Sequence, residues 1–178
     1  MKLFYAPGAC SLSPHIAAAE AGIDLELVEV NLGTKTVAEE GDYWAINPKG
    51  SVPALELDYG EILTEGPAIV QYLADQKPEA RLAPANGTLA RYRLQEALNY
   101  ITSEIHKSYS PLFNPKTPEN VRTERKEYLR KRYALLDGQL AGRKYLFGDQ
   151  FTVADAYLFV VTRWARAAKV DLSDYANL

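Results

Sequence analysis

Cys10 is the one cysteine of this 178-residue chain, and its placement suits thiol chemistry. It follows a strand-like run (residues 2–6) and a Pro7-Gly8 turn, and it precedes a helical segment. Because proline is tolerated only in the first turn of a helix, Pro14 predicts a helix start near Ser11. The thiol then lies beside unpaired N–H groups and the positive end of the helix dipole, which favour a thiolate. A small buried hydrophobic side chain is the alternative, and both interpretations stay open.

Two stripes of side chains follow one long predicted helix, residues 89–110. The apolar stripe has the spacing of a core-facing helix and comprises Leu94, Leu98, Ile101 and Ile105. The polar stripe has the same spacing and comprises Asn99, Ser103, His106 and Ser110. A solvated face would explain it, but such faces usually carry lysine and glutamate rather than short hydrogen-bonding groups and an imidazole. Since histidine alone titrates near neutral pH without perturbation, His106 is a candidate general acid or base.

The elements that must position these residues fall into two halves. The first half has the order strand–helix–strand, an irregular stretch with a short helix, then a hairpin (54–57 and 61–64) and a helix (67–75). This order predicts a small mixed sheet with helices packed on it. Residues 78–88 are rich in proline and lack a regular period, which predicts a linker between a domain at 1–77 and a second at 89–178.

The second half is helical throughout. Its first helix (89–110) is predicted to stop at Pro111, and a second runs from Pro118 to about residue 141. A third spans 152–169, where Thr152 caps the first turn and Asp155 reaches back to it. The fold class is therefore an α/β domain followed by an all-α domain.

Composition excludes several function classes. A net charge of −3 argues against nucleic acid or an anionic membrane as the main partner. No apolar run approaches transmembrane length, and no signal-peptide pattern precedes the Pro7-Gly8 turn. A lone cysteine excludes an internal disulfide framework, so we predict a cytoplasmic protein; we predict no metal site.

Several motifs resemble those of the cytosolic glutathione S-transferases, and most of all the bacterial beta class. Two mark the superfamily: residues 47–55 (NPKGSVPAL) and 63–69 (LTEGPAI). Residues 5–15 (YAPGACSLSPH) and 103–107 (SEIHK) mark the class, and residues 148–155 (GDQFTVAD) match as well. The resemblance covers the whole chain. It implies a thioredoxin-like βαβαββα domain followed by the helical domain. The family usually adds another helix after the position at which this sequence ends, Leu178.

The resemblance also implies a glutathione site in the first half. A cis Pro53 would free the backbone of Val52 to pair with the cysteinyl backbone of glutathione, although an ordinary turn proline is the alternative. Glu65 would receive the ligand ammonium, or else serve only as a helix-dipole charge. The Gly66 N–H would meet the γ-glutamyl carboxylate, although the glycine replaces the serine common elsewhere in the superfamily. Lys35 would contact the glycyl carboxylate, or be a solvated loop lysine.

Further site residues implied by the resemblance lie in the second half, partly across a dimer interface: Asn99, Ser103, Glu104, His106 and Lys107. His15 is interpreted as structural. The implied function is transfer of glutathione, as co-substrate and without another cofactor, to a small hydrophobic electrophile by a homodimer. Cys10 would be able to form a mixed disulfide with glutathione, resolved by a second glutathione since no second cysteine is present. The alternatives are a thiol–disulfide reductase, a reductive dehalogenase, or a non-catalytic binding protein of the same fold.

Overall fold

The chain divides into two structural units. The computed structural model describes residues 1–38 and 41–178. Unit 1 spans Met1–Ala83 and unit 2 spans Pro84–Leu178.

Unit 1 is a mixed sheet with helices. Its elements are β1 (Lys2–Tyr5), α1 (Leu12–Glu20), β2 (Glu26–Asn31), β3 (Thr36–Val37), β4 (Gly41–Asp42), α2 (Tyr43–Ile46), β5 (Ala54–Glu56), β6 (Ile62–Thr64), α3 (Gly66–Gln76) and a 3₁₀ turn (Pro78–Ala80). Within the described residues the sheet has the order β4-β3-β2-β1-β5-β6. Strands β1 and β2 are parallel, and the other pairs are antiparallel.

The α/β prediction for this half is confirmed, with one correction. The predicted hairpin is β5–β6, and the predicted helix after it is α3. The stretch between β2 and α2, which we predicted to be irregular, contains the two short strands β3 and β4. Strands of two residues each are too short for the alternating pattern by which sequence reveals a strand.

The core of unit 1 lies on both faces of β1. Leu3 and Phe4, which point to opposite faces of the strand, are both 0% exposed. On one side Phe4 packs in a cluster with Val30, Tyr43 and Ala54. Helices α1 and α3 pack against each other. The loop that carries Cys10 thus leaves a strand that is buried on both faces.

Unit 2 is helical, and its first long helix differs from the prediction. The helices are α4 (Leu89–Tyr100), a π-helical segment (Ile101–His106), α5 (Lys107–Phe113), α6 (Glu119–Leu140), α7 (Val153–Thr162) and α8 (Trp164–Ala168). The predicted stop at Pro111 is wrong, because the helix continues to Phe113. Pro111 lies in the last turn of α5, so its missing N–H removes only one helical hydrogen bond. Across the described part of the chain, no helix is long and apolar enough to cross a membrane.

The start of α7 is the capping box that the sequence predicts. One oxygen of the Asp155 carboxylate accepts from the Thr152 N–H (2.8 Å) and hydroxyl (2.7 Å). The other oxygen accepts from the Leu146 N–H at 2.8 Å. This buried carboxylate therefore fixes both the helix start and the loop before it. The helix predicted over 152–169 is interrupted at Arg163, which separates α7 from α8.

Candidate active site

The Cys10 thiol lies at the start of α1, where the sequence places it. Ser11 is the N-cap residue, and its hydroxyl bonds to the N–H (3.1 Å) and the carbonyl (3.3 Å) of Ala6. These bonds close the loop that follows β1. The partly buried Cys10 sulfur donates to the Val52 carbonyl at 3.2 Å. The first helix and the Val52–Pro53 segment therefore meet at the thiol.

Of the two interpretations of Cys10, the structure favours the buried thiol over the thiolate. Burial raises the pKa of the Cys10 thiol to about 11, since a charged sulfur loses its hydration there. The backbone N–H groups of Cys10 and Ser11 favour the thiolate but are outweighed, and the Glu65 carboxylate adds repulsion. The helix start is therefore present, but desolvation has the larger effect on the pKa of Cys10.

The peptide bond between Val52 and Pro53 is cis, as the resemblance implies. The residue before it is held in place, because the Ser51 carbonyl accepts from the Tyr43 hydroxyl (2.9 Å) and the Asn47 amide (2.7 Å). Within the described residues the Val52 N–H donates to no other group. This backbone segment can therefore offer a donor to an extended ligand, which is how a strand edge binds a peptide.

Glu65 sits at the start of α3 in an unusual backbone conformation. Its φ is +70°, a region that non-glycine residues rarely adopt. The carboxylate accepts from the Lys49 ammonium at 2.7 Å, and Lys49 also donates to the Thr64 hydroxyl at 2.9 Å. Gly66 is the first residue of α3, where the N–H has no carbonyl of its own helix to bond. A carboxylate and a helix N-terminus are thus adjacent, which suits a ligand bearing both an ammonium and a carboxylate.

Lys35 is held by the same unit. Its ammonium donates to the Gly50 carbonyl at 2.6 Å and lies 5.7 Å from the centre of the Trp44 ring. Gly50 has φ +60°, and a Cβ there would lie 2.3 Å from the Trp44 ring. Only glycine therefore fits beneath this tryptophan. The Lys35 ammonium is therefore bonded at Gly50, two residues before Val52, rather than free in a loop.

In unit 2 the candidate residues lie on the π segment or within two residues of it. The Lys107 N–H donates to the Thr102 carbonyl five residues back, which interrupts the period on which the polar stripe was predicted. Asn99, Ser103 and Lys107 are exposed, and the Ser103 hydroxyl donates to the Asn99 carbonyl at 3.0 Å. The predicted apolar stripe is confirmed, since its four residues are each at most 1% exposed.

His106 and Glu104 have partners from other helices. His106 Nδ1 lies 2.5 Å from the Tyr157 hydroxyl oxygen, and its ring meets that of Trp164 edge-on at 4.9 Å between centres. The Glu104 carboxylate accepts from the Tyr128 hydroxyl and lies 2.9 Å from the Arg132 Nε. Among the described residues, no cluster of His, Cys, Asp and Glu could hold a metal ion.

Sequence reasoning missed three of these neighbours. Lys49 lies within the NPKG motif, and that motif alone could have indicated a lysine close to the site. Tyr157 and Trp164 lie 51 and 58 residues after His106, and no spacing rule connects them. Only the packing of α7 and α8 on the π segment and α5 brings these rings together.

Two family models match this chain. Residues 1–75 match the family model of the glutathione S-transferase N-terminal domain, and residues 100–178 match that of the C-terminal domain. The chain belongs to the glutathione S-transferase family. The prediction of this family, and of an enzyme that transfers glutathione, is confirmed.

Similar proteins include bacterial members of the family, one of them of the beta class. The chain is 49% identical to glutathione S-transferase GstA of Escherichia coli O157:H7, over all of this chain and 89% of that protein. A bacterial beta class glutathione S-transferase of Sphingomonas chungbukensis is 47% identical with a TM-score of 0.95, covering 100% of this chain and 89% of the other. A sphingomonad glutathione S-transferase solved with glutathione is 47% identical with a TM-score of 0.94, covering 98% and 87%.

Proposed function

We propose that unit 1 binds glutathione along the segment from Lys35 to Gly66 and that the protein transfers it to small hydrophobic electrophiles. The observation that carries this proposal is the juxtaposition of the Cys10 thiol with the Val52 backbone, next to a cis proline. The sphingomonad relative, solved with glutathione, supports the choice of ligand.

Each end of glutathione has a chemically matched partner in unit 1. Glu65 takes the γ-glutamyl ammonium and the Gly66 N–H takes the neighbouring carboxylate. The Val52 N–H and carbonyl pair with the cysteinyl backbone, and Pro53 keeps that edge open. Lys35 takes the glycyl carboxylate. For Glu65 to bind the ligand ammonium, Lys49 must release its ion pair with Glu65. Both side chains are more than half exposed, so breaking this ion pair costs little free energy.

We propose conjugation rather than thiol exchange as the main reaction. With its pKa raised, Cys10 is a thiol at neutral pH, and a thiol is a poor nucleophile toward a disulfide. A protonated Cys10 can instead donate its S–H to the sulfur of bound glutathione, in place of the Val52 carbonyl. The mixed disulfide with Cys10 then forms only slowly. The reductase and dehalogenase alternatives need a reactive Cys10 thiolate.

The proposal extends to unit 2 and to the assembly. Its polar residues on and beside the π segment contribute to the same reaction: Asn99, Ser103, Glu104, His106 and Lys107. We propose a cytoplasmic homodimer that needs glutathione as co-substrate and no other cofactor. The dimer is supported by the polar stripe of unit 2, which is poor in the long charged side chains that a free surface usually carries.

Activity measurements on two substrates test the reaction type. A chlorinated nitroarene reports conjugation, and a mixed disulfide substrate reports thiol exchange. We expect turnover of the arene to exceed turnover of the disulfide. Cys10→Ser should retain a measurable part of the arene activity, because the serine hydroxyl can also donate a hydrogen bond to the glutathione sulfur. Faster turnover of the disulfide, abolished in Cys10→Ser, would favour the reductase alternative.

Replacing Glu65 by alanine is expected to weaken glutathione binding by about 1.5–3 kcal/mol, because a charged hydrogen bond to the ligand ammonium is lost. Alanine keeps the Cβ, so the backbone at φ +70° is not strained further. The fold should survive, since a carboxylate at a helix start contributes less than about 1 kcal/mol. Calorimetric titration with glutathione measures the loss. Glu61→Ala, an exposed carboxylate in the neighbouring hairpin turn, is the control, and equal affinities of both variants would remove Glu65 from the site.

The Cys10 thiol is expected to react with iodoacetamide at a rate that rises with pH up to a midpoint near 11 in the glutathione-free protein. The rate rises with pH because the thiolate is the reactive form. With the raised pKa, only about 1 molecule in 10⁴ is a thiolate at pH 7. Because the chain has one cysteine, mass spectrometry reads the rate without ambiguity. In the urea-unfolded protein the midpoint should fall to about 8.5. A midpoint below that value in the folded protein would favour the thiolate interpretation of Cys10 instead.

A further inference from the structure

Lys49 lies in a turn whose backbone is held by a buried side chain. The turn runs from Asn47 to Gly50, and the Gly50 N–H donates to the Asn47 carbonyl at 2.8 Å. Asn47 is 1% exposed, and its side-chain oxygen accepts from the Lys49 N–H at 3.1 Å. Its side-chain amide donates to the Ser51 carbonyl at 2.7 Å. The backbone position from which the Lys49 side chain starts is therefore fixed.

The Lys49 side chain reaches from this turn to the residues before α3. Its ammonium donates to the Thr64 hydroxyl at 2.9 Å and to the Glu65 carboxylate at 2.7 Å. Glu65 is followed directly by Gly66, the first residue of α3. The Lys49 side chain is 53% exposed and that of Glu65 is 62% exposed. A full positive charge that a ligand can reach therefore lies beside the carboxylate to which the proposed function assigns the ligand ammonium.

The γ-glutamyl head group of glutathione carries two opposite charges on one carbon atom. If its ammonium binds Glu65, its carboxylate comes close to the Glu65 carboxylate, and the two negative charges repel each other. The N-terminus of α3 offsets this repulsion only in part, since it contributes about half of an elementary charge. The Lys49 ammonium supplies a whole charge. An anion and a cation side by side are thus complementary to a head group with both charges.

We propose that Lys49 binds the γ-glutamyl carboxylate of glutathione, and that the Lys49–Glu65 pair thereby selects ligands whose head group carries both charges. The inference rests on the proposed function, in which Glu65 binds the ligand ammonium. On binding, the ligand ammonium replaces that of Lys49 at the Glu65 carboxylate. The Lys49 ammonium keeps the Thr64 hydroxyl and turns its released N–H to the ligand carboxylate, whose other oxygen accepts from the Gly66 N–H. No covalent bond forms or breaks.

Lys49 also competes with the ligand ammonium for Glu65, so the sign of its effect on affinity depends on which contribution is larger. Both side chains of the ion pair are exposed, so water screens their attraction and the pair is easily broken. In the complex the four charges alternate in sign, and each of the two side chains keeps an opposite charge beside it. We therefore expect Lys49 to increase the affinity for glutathione.

Calorimetric titration with two ligands tests this assignment. One is S-methylglutathione, and the other is its γ-aminobutyryl analogue, in which hydrogen replaces the γ-glutamyl carboxylate. Lys49→Gln should weaken binding of S-methylglutathione about 3- to 10-fold, the effect of one exposed charged hydrogen bond. Binding of the analogue should not be weakened, because it has no carboxylate for Lys49 to bind. Lys49→Arg should retain most of the affinity for S-methylglutathione, since a guanidinium also pairs with a carboxylate.

Lys77→Gln is the matched control for the change of charge. It removes the same charge from an exposed lysine of unit 1, at the C-terminal end of α3. An 11-residue helix is about 16 Å long, so Lys77 is too far from Glu65 to contact the same head group. This variant should bind both ligands as the unaltered protein does. Melting curves of all variants check that the fold is intact.

The other outcomes separate this inference from the proposed function. If Lys49→Gln weakens binding of both ligands equally, Lys49 only orders the turn or the Glu65 side chain, and the carboxylate assignment is wrong. If Lys49→Gln tightens binding of S-methylglutathione or leaves it unchanged, while Glu65→Ala still weakens it, the assignment is wrong and the proposed function stands. If the unaltered protein does not bind S-methylglutathione, the proposed function fails as well.

Discussion

Replacing Asp155 by alanine is expected to lower the free energy of unfolding by about 3 kcal/mol or more. The carboxylate accepts three hydrogen bonds, from the Leu146 N–H and from the N–H and hydroxyl of Thr152. Alanine would leave two buried N–H groups without a partner, at about 1–3 kcal/mol each. The Thr152 hydroxyl would lose its bond to the carboxylate but would still cap the N–H of residue 155. Urea unfolding followed by circular dichroism measures the change.

Asp149→Ala is the matched control for this prediction. Asp149 lies in the same sequence motif, six residues earlier, and its side chain is exposed. Its replacement should change the free energy of unfolding by less than about 0.5 kcal/mol. Similar losses in both variants would mean that the capping box does not hold α7.

Replacing His106 by alanine is expected to lower kcat for conjugation about 10- to 100-fold, because a hydrogen bond to a charged sulfur is worth about 1.5–3 kcal/mol. The KM for glutathione should change much less, since the proposed function assigns binding of the ends of the ligand to Glu65, Gly66 and Lys35. Steady-state kinetics with both substrates, and a melting curve on the same sample, make the measurement. A normal kcat with a raised KM would make His106 a binding residue instead.

His106→Gln distinguishes hydrogen bonding from proton transfer. The glutamine amide can place an N–H near the position of Nε2, but it does not titrate. A donor role predicts that glutamine recovers part of the activity lost in alanine. A general acid–base role, typically worth 10²–10⁴-fold, predicts no recovery. If glutamine and alanine are equally impaired and the loss exceeds about 100-fold, proton transfer by His106 is the better explanation.

Local signals in the sequence were sufficient for most of the fold. The alternation of residues 54–57 and the turn at 58–60 predicted the hairpin, because strand pairing across a short turn is a local property. The four residues of the apolar stripe predicted the buried face of α4 and the π segment. Thr152 and Asp155 predicted the capping box, since both partners lie within one helical turn. The motifs around Cys10, Pro53 and Glu65 identified the family, since each is a short run of consecutive residues.

Only the tertiary structure decided the properties that depend on distant neighbours. The helix start at Cys10 favours a thiolate, but the packing around Val52 desolvates the sulfur and raises its pKa to about 11. The period of residues 89–110 gave no sign of the π segment, and Pro111 did not end the helix. The partner of His106 lies 51 residues away on α7. Dielectric environment and long-range contacts arise only when the chain is folded, so spacing along the chain does not determine them.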